Sequence, residues 1–179
     1  LPGRWLRARA DAGALREVDV PSARLDAVIP DRNVNVGAWI DVEGAIREVL
    51  AGVSAEDAAA HPIAGAHSIW EIVLHMTGGY ILVLRRVRGE GAQLSPQEEW
   101  PAVQESSSEA WRKSQHTLDQ LNQQLQSAVR AFPTERLSQE LGSEYAAYIQ
   151  FCGAPQHDLY HAGQIVMLKK ALSVSRGAA

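Results

Sequence analysis

Six histidines are spread through the 179 residues, and two of them, His157 and His161, stand four apart in the stretch HDLYHAGQI. In an α-helix, positions four apart lie within about 40° of each other, so both imidazoles leave one face a turn apart. That spacing lets two imidazoles reach one metal ion. It also arises on ordinary solvated helices, where the pair has no joint task. A metal site needs a third protein ligand from elsewhere in the chain. His61 and His67 fall in a connector, and His116 lies off the apolar stripe of its helix, so solvation is expected for all three. His75 differs, because it sits two turns into the apolar run IVLHMTGGY. A neutral histidine buried among apolar side chains needs a partner for its nitrogen. A backbone carbonyl is one such partner and a metal ion is another, and the residue pattern leaves both open. Gly79, four residues on, leaves space beside the ring.

The elements that must position these residues read as helices. Trp39, Val42, Ile46, Val49, Leu50 and Val53 mark one face of a first helix. Ser54 and Asp57 have capping-box spacing in the short turn after it. Ser68 with Glu71 opens a second helix that passes through His75 to about Arg88 and stops at Gly89 and Gly91. In LSPQEEWP, Ser95 caps a single turn with Pro96 at its first position, and Pro101 ends it. Ser106 with Glu109 opens a third long helix, with Trp111, Leu118, Leu121, Leu125, Ala128, Val129 and Phe132 as its buried stripe. Its Gln-rich opposite face is expected to be solvated, and Pro133 stops it. A last helical segment runs from near Ser143 to about Ser173. Gly153 and Pro155 interrupt it, either as a kink or as the start of a new helix. No strand pattern of any length follows residue 40. The expected fold is therefore all-α, a four-helix bundle over residues 37–179. Residues 1–36, punctuated by Pro2, Pro21 and Pro30, read as an irregular N-terminal extension packed on the domain or on a neighbouring subunit.

Bulk properties exclude several classes. The net charge of −4 and the absence of a basic stripe argue against nucleic acid as a partner. The single cysteine, Cys152, forbids an intramolecular disulfide and a cysteine-based zinc or iron–sulfur site within one chain. It lies in the apolar run YIQFCG and reads as a small buried hydrophobe. No apolar run is long enough to span a membrane, and the first residues lack the apolar region of a signal peptide, so a cytoplasmic location is expected.

The stretches HSIWEIVLHM and HDLYHAGQIVMLKKAL, about eighty residues apart, together resemble the DinB-like (YfiT-like) superfamily. The likeness covers about residues 38–173 and rests on a Ser-x-x-Glu-x-x-x-His helix and a late His-x-x-x-His-x-Gly-Gln-Ile helix. It implies a four-helix bundle, often dimeric, in which His75, His157 and His161 hold a divalent metal at one end. Pro155, two residues before His157, and the long N-terminal extension depart from the pattern. The resemblance implies a metal-dependent transferase in which a small thiol such as bacillithiol, mycothiol or glutathione attacks an electrophilic small-molecule substrate. Zinc is the metal expected from availability, with nickel as the other candidate. A metal-dependent hydrolase using bound water, and a non-enzymatic stress or binding protein with a vestigial site, are the competing readings. A homodimer is expected, since a bundle of this size often buries one helix face against a partner. No catalytic residue is assigned. Gln164 shares the stripe of His157 and is expected either to donate to a bound ligand or to bond a neighbouring chain. Glu71, four before His75, either orients that imidazole or caps its helix with Ser68. Tyr160 lines the pocket or, more simply, packs in the bundle. Asp158 is expected to point away from His157 and be solvated.

Overall fold

The computed structural model describes Val42 and residues 44–177, and these are helical with short connections. The extension expected at residues 1–36, and Trp39 of the first helical stripe, lie outside the described residues. Residues 44–50 form α1, followed by α2 (Ala55–Ala59), α3 (Ile69–Val87), the single turn α4 (Pro96–Glu99), α5 (Ser108–Ala131) and α6 (Ala147–Gly177). A 3₁₀ turn at Thr134–Arg136 links α5 to α6. Among the described residues no strand forms beyond an isolated bridge between Glu140 and Ala146. The fold is the all-α bundle expected, with α3, α5 and α6 as the long helices among the described residues.

Local chemistry sets the helix starts. The Ser68 hydroxyl accepts from the Glu71 amide at 3.2 Å, and the Glu71 carboxylate accepts from the Ser68 amide at 2.7 Å. Two of the donors orphaned at the start of α3 are thus satisfied, which stabilises the helix by about 1 kcal/mol. Ser95 and Glu98 repeat this box at α4, with Pro96 at the first position. Ser54 caps α2 by accepting from the Asp57 amide. The start of α5 falls one residue later than expected, because Ser107 and not Ser106 accepts from the Ala110 amide. Three consecutive serines offer the same cap in adjacent registers.

α3 is the central helix and lies against both α5 and α6. Its residues Ile69, Trp70, Ile72, Val73, Met76, Tyr80 and Leu84 are buried at helical spacing. They meet Trp111, Leu118 and Leu125 of α5 and Ile165 and Leu168 of α6 in one core. Ile46 and Leu50 of α1 join it, and the Lys169 ammonium of α6 donates to the Val49 carbonyl at 2.8 Å, covering an open end of α1.

Two expectations about the long helices need correction. α6 begins at Ala147, later than Ser143, and runs unbroken through Gly153 and Pro155. Pro155 is buried, so its ring contributes core contact against the lost backbone bond. The polar side of α5 is not wholly solvated: Asn122 and Gln126 are buried. The Asn122 amide donates to the Tyr80 hydroxyl at 2.8 Å, and the Gln126 amide donates to the Asn122 side-chain oxygen at 2.6 Å. These amides face inward because each finds a polar partner there.

Candidate metal centre

α3 and α6 bring together the three histidines. Their ligand-capable nitrogens all lie within 4.8 Å of one another. His75 Nε2 is 2.9 Å from His157 Nε2, and His161 Nε2 is 3.0 Å from the same atom. His157 lies beside Gly79, where a Cβ would make an ordinary contact with its Cε1 at 3.9 Å. The space expected beside His75 is thus taken by another imidazole.

The outer nitrogens fix which lone pairs point inward. His75 Nδ1 lies 2.7 Å from the Glu99 carbonyl, which can only accept, so Nδ1 carries the proton and Nε2 is a bare lone pair. His161 Nδ1 lies 2.7 Å from the Gln164 side-chain oxygen, whose amide nitrogen donates to the Tyr160 hydroxyl at 3.0 Å. His161 Nε2 is then a lone pair too. Both converge on His157 Nε2, which can offer one proton at most. One lone pair therefore lacks a full donor, and a cation among the three nitrogens removes the conflict. Metal–imidazole bonds of about 2.0–2.1 Å place two nitrogens about 2.9 Å apart at right angles and about 3.3 Å apart at a tetrahedral angle. The separations of His157 from His75 and from His161 fit that range, and three imidazole nitrogens suit a divalent metal.

Burial keeps two of the imidazoles neutral. Burial, and then the neighbouring His157, push His161 down to about 4. Burial also lowers His75, against the opposing pull of the Glu99 carbonyl. Both imidazoles are uncharged at neutral pH, the form that binds metal. The site is closed on the His161 side, which is 3% exposed, and open at His157, whose side chain is 37% exposed.

α4 forms a second wall that the sequence reading did not assign to the site. Besides the Glu99 carbonyl it ends in Trp100, whose indole lies parallel to the His75 ring at 3.9 Å and to the His67 ring at 3.6 Å. Its signal was present in SPQEEWP, where a capping box turns the chain just ahead of the Trp. Gly78 admits this wall, for a Cβ there would stand 2.9 Å from the Glu98 carbonyl oxygen.

The remaining expected residues are placed as follows. Gln164 holds His161. Glu71 caps α3, and its carboxylate faces His61 at 3.1 Å and His67 at 3.6 Å rather than His75. Tyr160 does not pack in the bundle: it is 64% exposed, at the rim beside His161. His116 is exposed, as expected. Asp158 is the clear correction. It is 1% exposed, and its Oδ2 accepts from the Tyr80 hydroxyl at 2.5 Å. Neighbouring residues on a helix diverge by about 100°, yet both can face inward where a helix is covered on two sides.

A family model described as the DinB superfamily matches residues 38–165. Searches of curated proteins and of solved structures returned no match. No described helix is long and apolar enough to cross a membrane.

Proposed function

Because the chain belongs to the DinB superfamily, we propose that it is a metal-dependent transferase. His75, His157 and His161 hold one divalent ion, zinc or nickel, and a small thiol attacks an electrophilic substrate there. The observation that carries this reading is the convergence of two forced lone pairs on a third imidazole. When bound, such an ion supplies a positive charge undiminished by its three neutral ligands, which favours thiolate over thiol. The protein's own contribution is to fix the ligands and shape the approach. The Glu99 carbonyl and the Gln164 amide orient two rings, and Trp100 lies flat on one of them. The exposed side of His157 is the approach for substrate. At its rim the Tyr160 hydroxyl accepts from Gln164, leaving its own proton to donate to a ligand.

The same reading includes a second copy of the chain. Tyr148, Ile149, Leu159, Tyr160, Met167 and Val174 leave an exposed apolar stripe along α6, opposite its buried one. A stripe of this kind marks an interface. The mass in solution should be that of a dimer, and the double variant Leu159→Lys, Met167→Lys should run as a monomer.

Metal content comes first among the tests. Protein made without a histidine tag and dialysed against zinc should retain one ion per chain, and failure to retain it removes the site. Metal-dependent consumption of a low-molecular-weight thiol by a generic electrophile should follow. If the thiol is not consumed while an ester is hydrolysed, water is the nucleophile and the transferase reading is wrong.

A further inference from the structure

Asp158 is buried beside a metal ligand and half satisfied. Its Oδ2 takes the Tyr80 proton, while Oδ1 has no hydrogen-bond partner. Oδ1 faces His157 Nδ1 at 3.8 Å, beyond hydrogen-bond reach. A buried carboxylate with an orphaned oxygen is costly. His75 and His161 each have an acceptor on Nδ1 that fixes the tautomer. Among the described residues, the acceptor that faces His157 Nδ1 is this carboxylate oxygen.

We propose that Asp158 is the positioning residue for His157: its Oδ1 draws the ring proton onto Nδ1 and so presents Nε2 as a lone pair to the ion. This rests on the metal site proposed above. In the metal-free chain Nε2 holds the ring proton between the two lone pairs that point there; an entering ion displaces it, and Oδ1 favours the tautomer that carries it on Nδ1. The Tyr80 hydroxyl holds the carboxylate in this orientation, itself receiving a hydrogen bond from Asn122. A carboxylate–histidine–metal arrangement fixes ring orientation and raises ligand basicity. The negative charge also sits where the ion's positive charge offsets it.

Asp158→Asn separates this role from packing. The amide keeps its oxygen toward the Tyr80 hydroxyl and turns its NH₂ toward His157 Nδ1, which forces the proton to Nε2 (the wrong tautomer for metal). Tyr80→Phe removes the partner of Oδ2 and leaves Oδ1 in place. Imidazole ¹⁵N and ¹H shifts of the zinc-loaded proteins read the His157 Nδ1 proton, and competition with a chromophoric chelator reads zinc affinity. Asp158→Asn should raise the zinc Kd about 10- to 100-fold and open the His157 Nδ1 proton of the loaded protein to exchange. Tyr80→Phe should lower the melting temperature yet keep the zinc Kd within a factor of about three. An unchanged zinc Kd in Asp158→Asn, or an equal loss of zinc in both variants, overturns the proposal. Should Asp158→Asn not fold, the zinc-loaded wild type decides. Its His157 Nδ1 proton should appear downfield and protected from exchange, and its absence also overturns the proposal. Wild-type protein that binds no zinc defeats the metal reading and this proposal with it; wild-type zinc binding that Asp158→Asn leaves unchanged defeats the role of Asp158 alone.

Discussion

His157 and His161 were legible because a four-residue interval translates directly into one helix face, and His75 because an imidazole in an apolar run needs a partner. Asp158 was not, because adjacent positions were assumed to diverge into solvent. A signal existed: Asp158 is seven residues from both Phe151 and Ile165, three from Pro155 and four from Ala162, all buried. It continues the inner stripe of α6. At this scale the ligand set makes its own prediction. His75→Ala should abolish zinc retention, whereas His116→Ala, changing an exposed residue on α5, should leave it intact. Equal loss in both would mean the third ligand is wrongly chosen. A pH dependence follows from His161. Its folded value of about 4 lies below the unfolded value of 6.5. The unfolded chain therefore takes up a proton before the folded one does. The stability of the metal-free protein should be full above about pH 6.5 and decline as pH falls toward about 4. Urea midpoints measured with a chelator present should show this, with a shallower decline in His161→Gln. A slope that the substitution leaves untouched would assign the loss to other groups.

The helices were legible where one residue type has one local use. Ser68, Ser95 and Pro96 announced α3 and α4 because the hydrogen bonds that cap a helix close within three residues. The sequence left open whether α6 continues through Pro155 or restarts there, since Pro155 breaks a helix unless burial outweighs the lost bond, and burial is a property of neighbours distant in sequence. The same reason hid the α4 wall, whose tie to His75 spans 24 residues. Gly78 is where that wall can be tested. A methyl group 2.9 Å from the Glu98 carbonyl oxygen must move the backbone of α4, since a carbonyl cannot rotate away as a side chain can. Alanine would otherwise favour the helix by about 1 kcal/mol. Gly78→Ala should nonetheless destabilise the protein, by about 1–3 kcal/mol as in overpacked cores. It should also weaken zinc binding, because the Glu99 carbonyl and Trp100 move with the turn. Near-ultraviolet circular dichroism should register the change at Trp100. A variant with the wild-type melting temperature and zinc affinity would show that α4 yields freely and does not position His75.

For the whole molecule, class and helix order were legible because helical periodicity is strong in every long segment. The layout was less so. An apolar stripe says that a helix is covered but not by what, and α6 carries two such stripes. The histidine site ties the layout together, since it joins α3 to α6 across 82 residues of chain. An ion held there binds the folded state and finds no assembled site in the unfolded chain, where the ligands are dispersed. Binding should therefore stabilise the whole bundle by mass action. At free zinc about a hundredfold above Kd the gain is about 2.7 kcal/mol. For a chain of this length each kcal/mol raises the melting temperature by about 2–4 °C, so a rise of about 5–10 °C is expected. Calorimetry with zinc, and then with excess chelator, should show the rise and its reversal. His161→Ala should show neither. If zinc raises the melting temperature of that variant as much as that of the wild type, the ion binds elsewhere, and the link between the two helices is not what it stabilises.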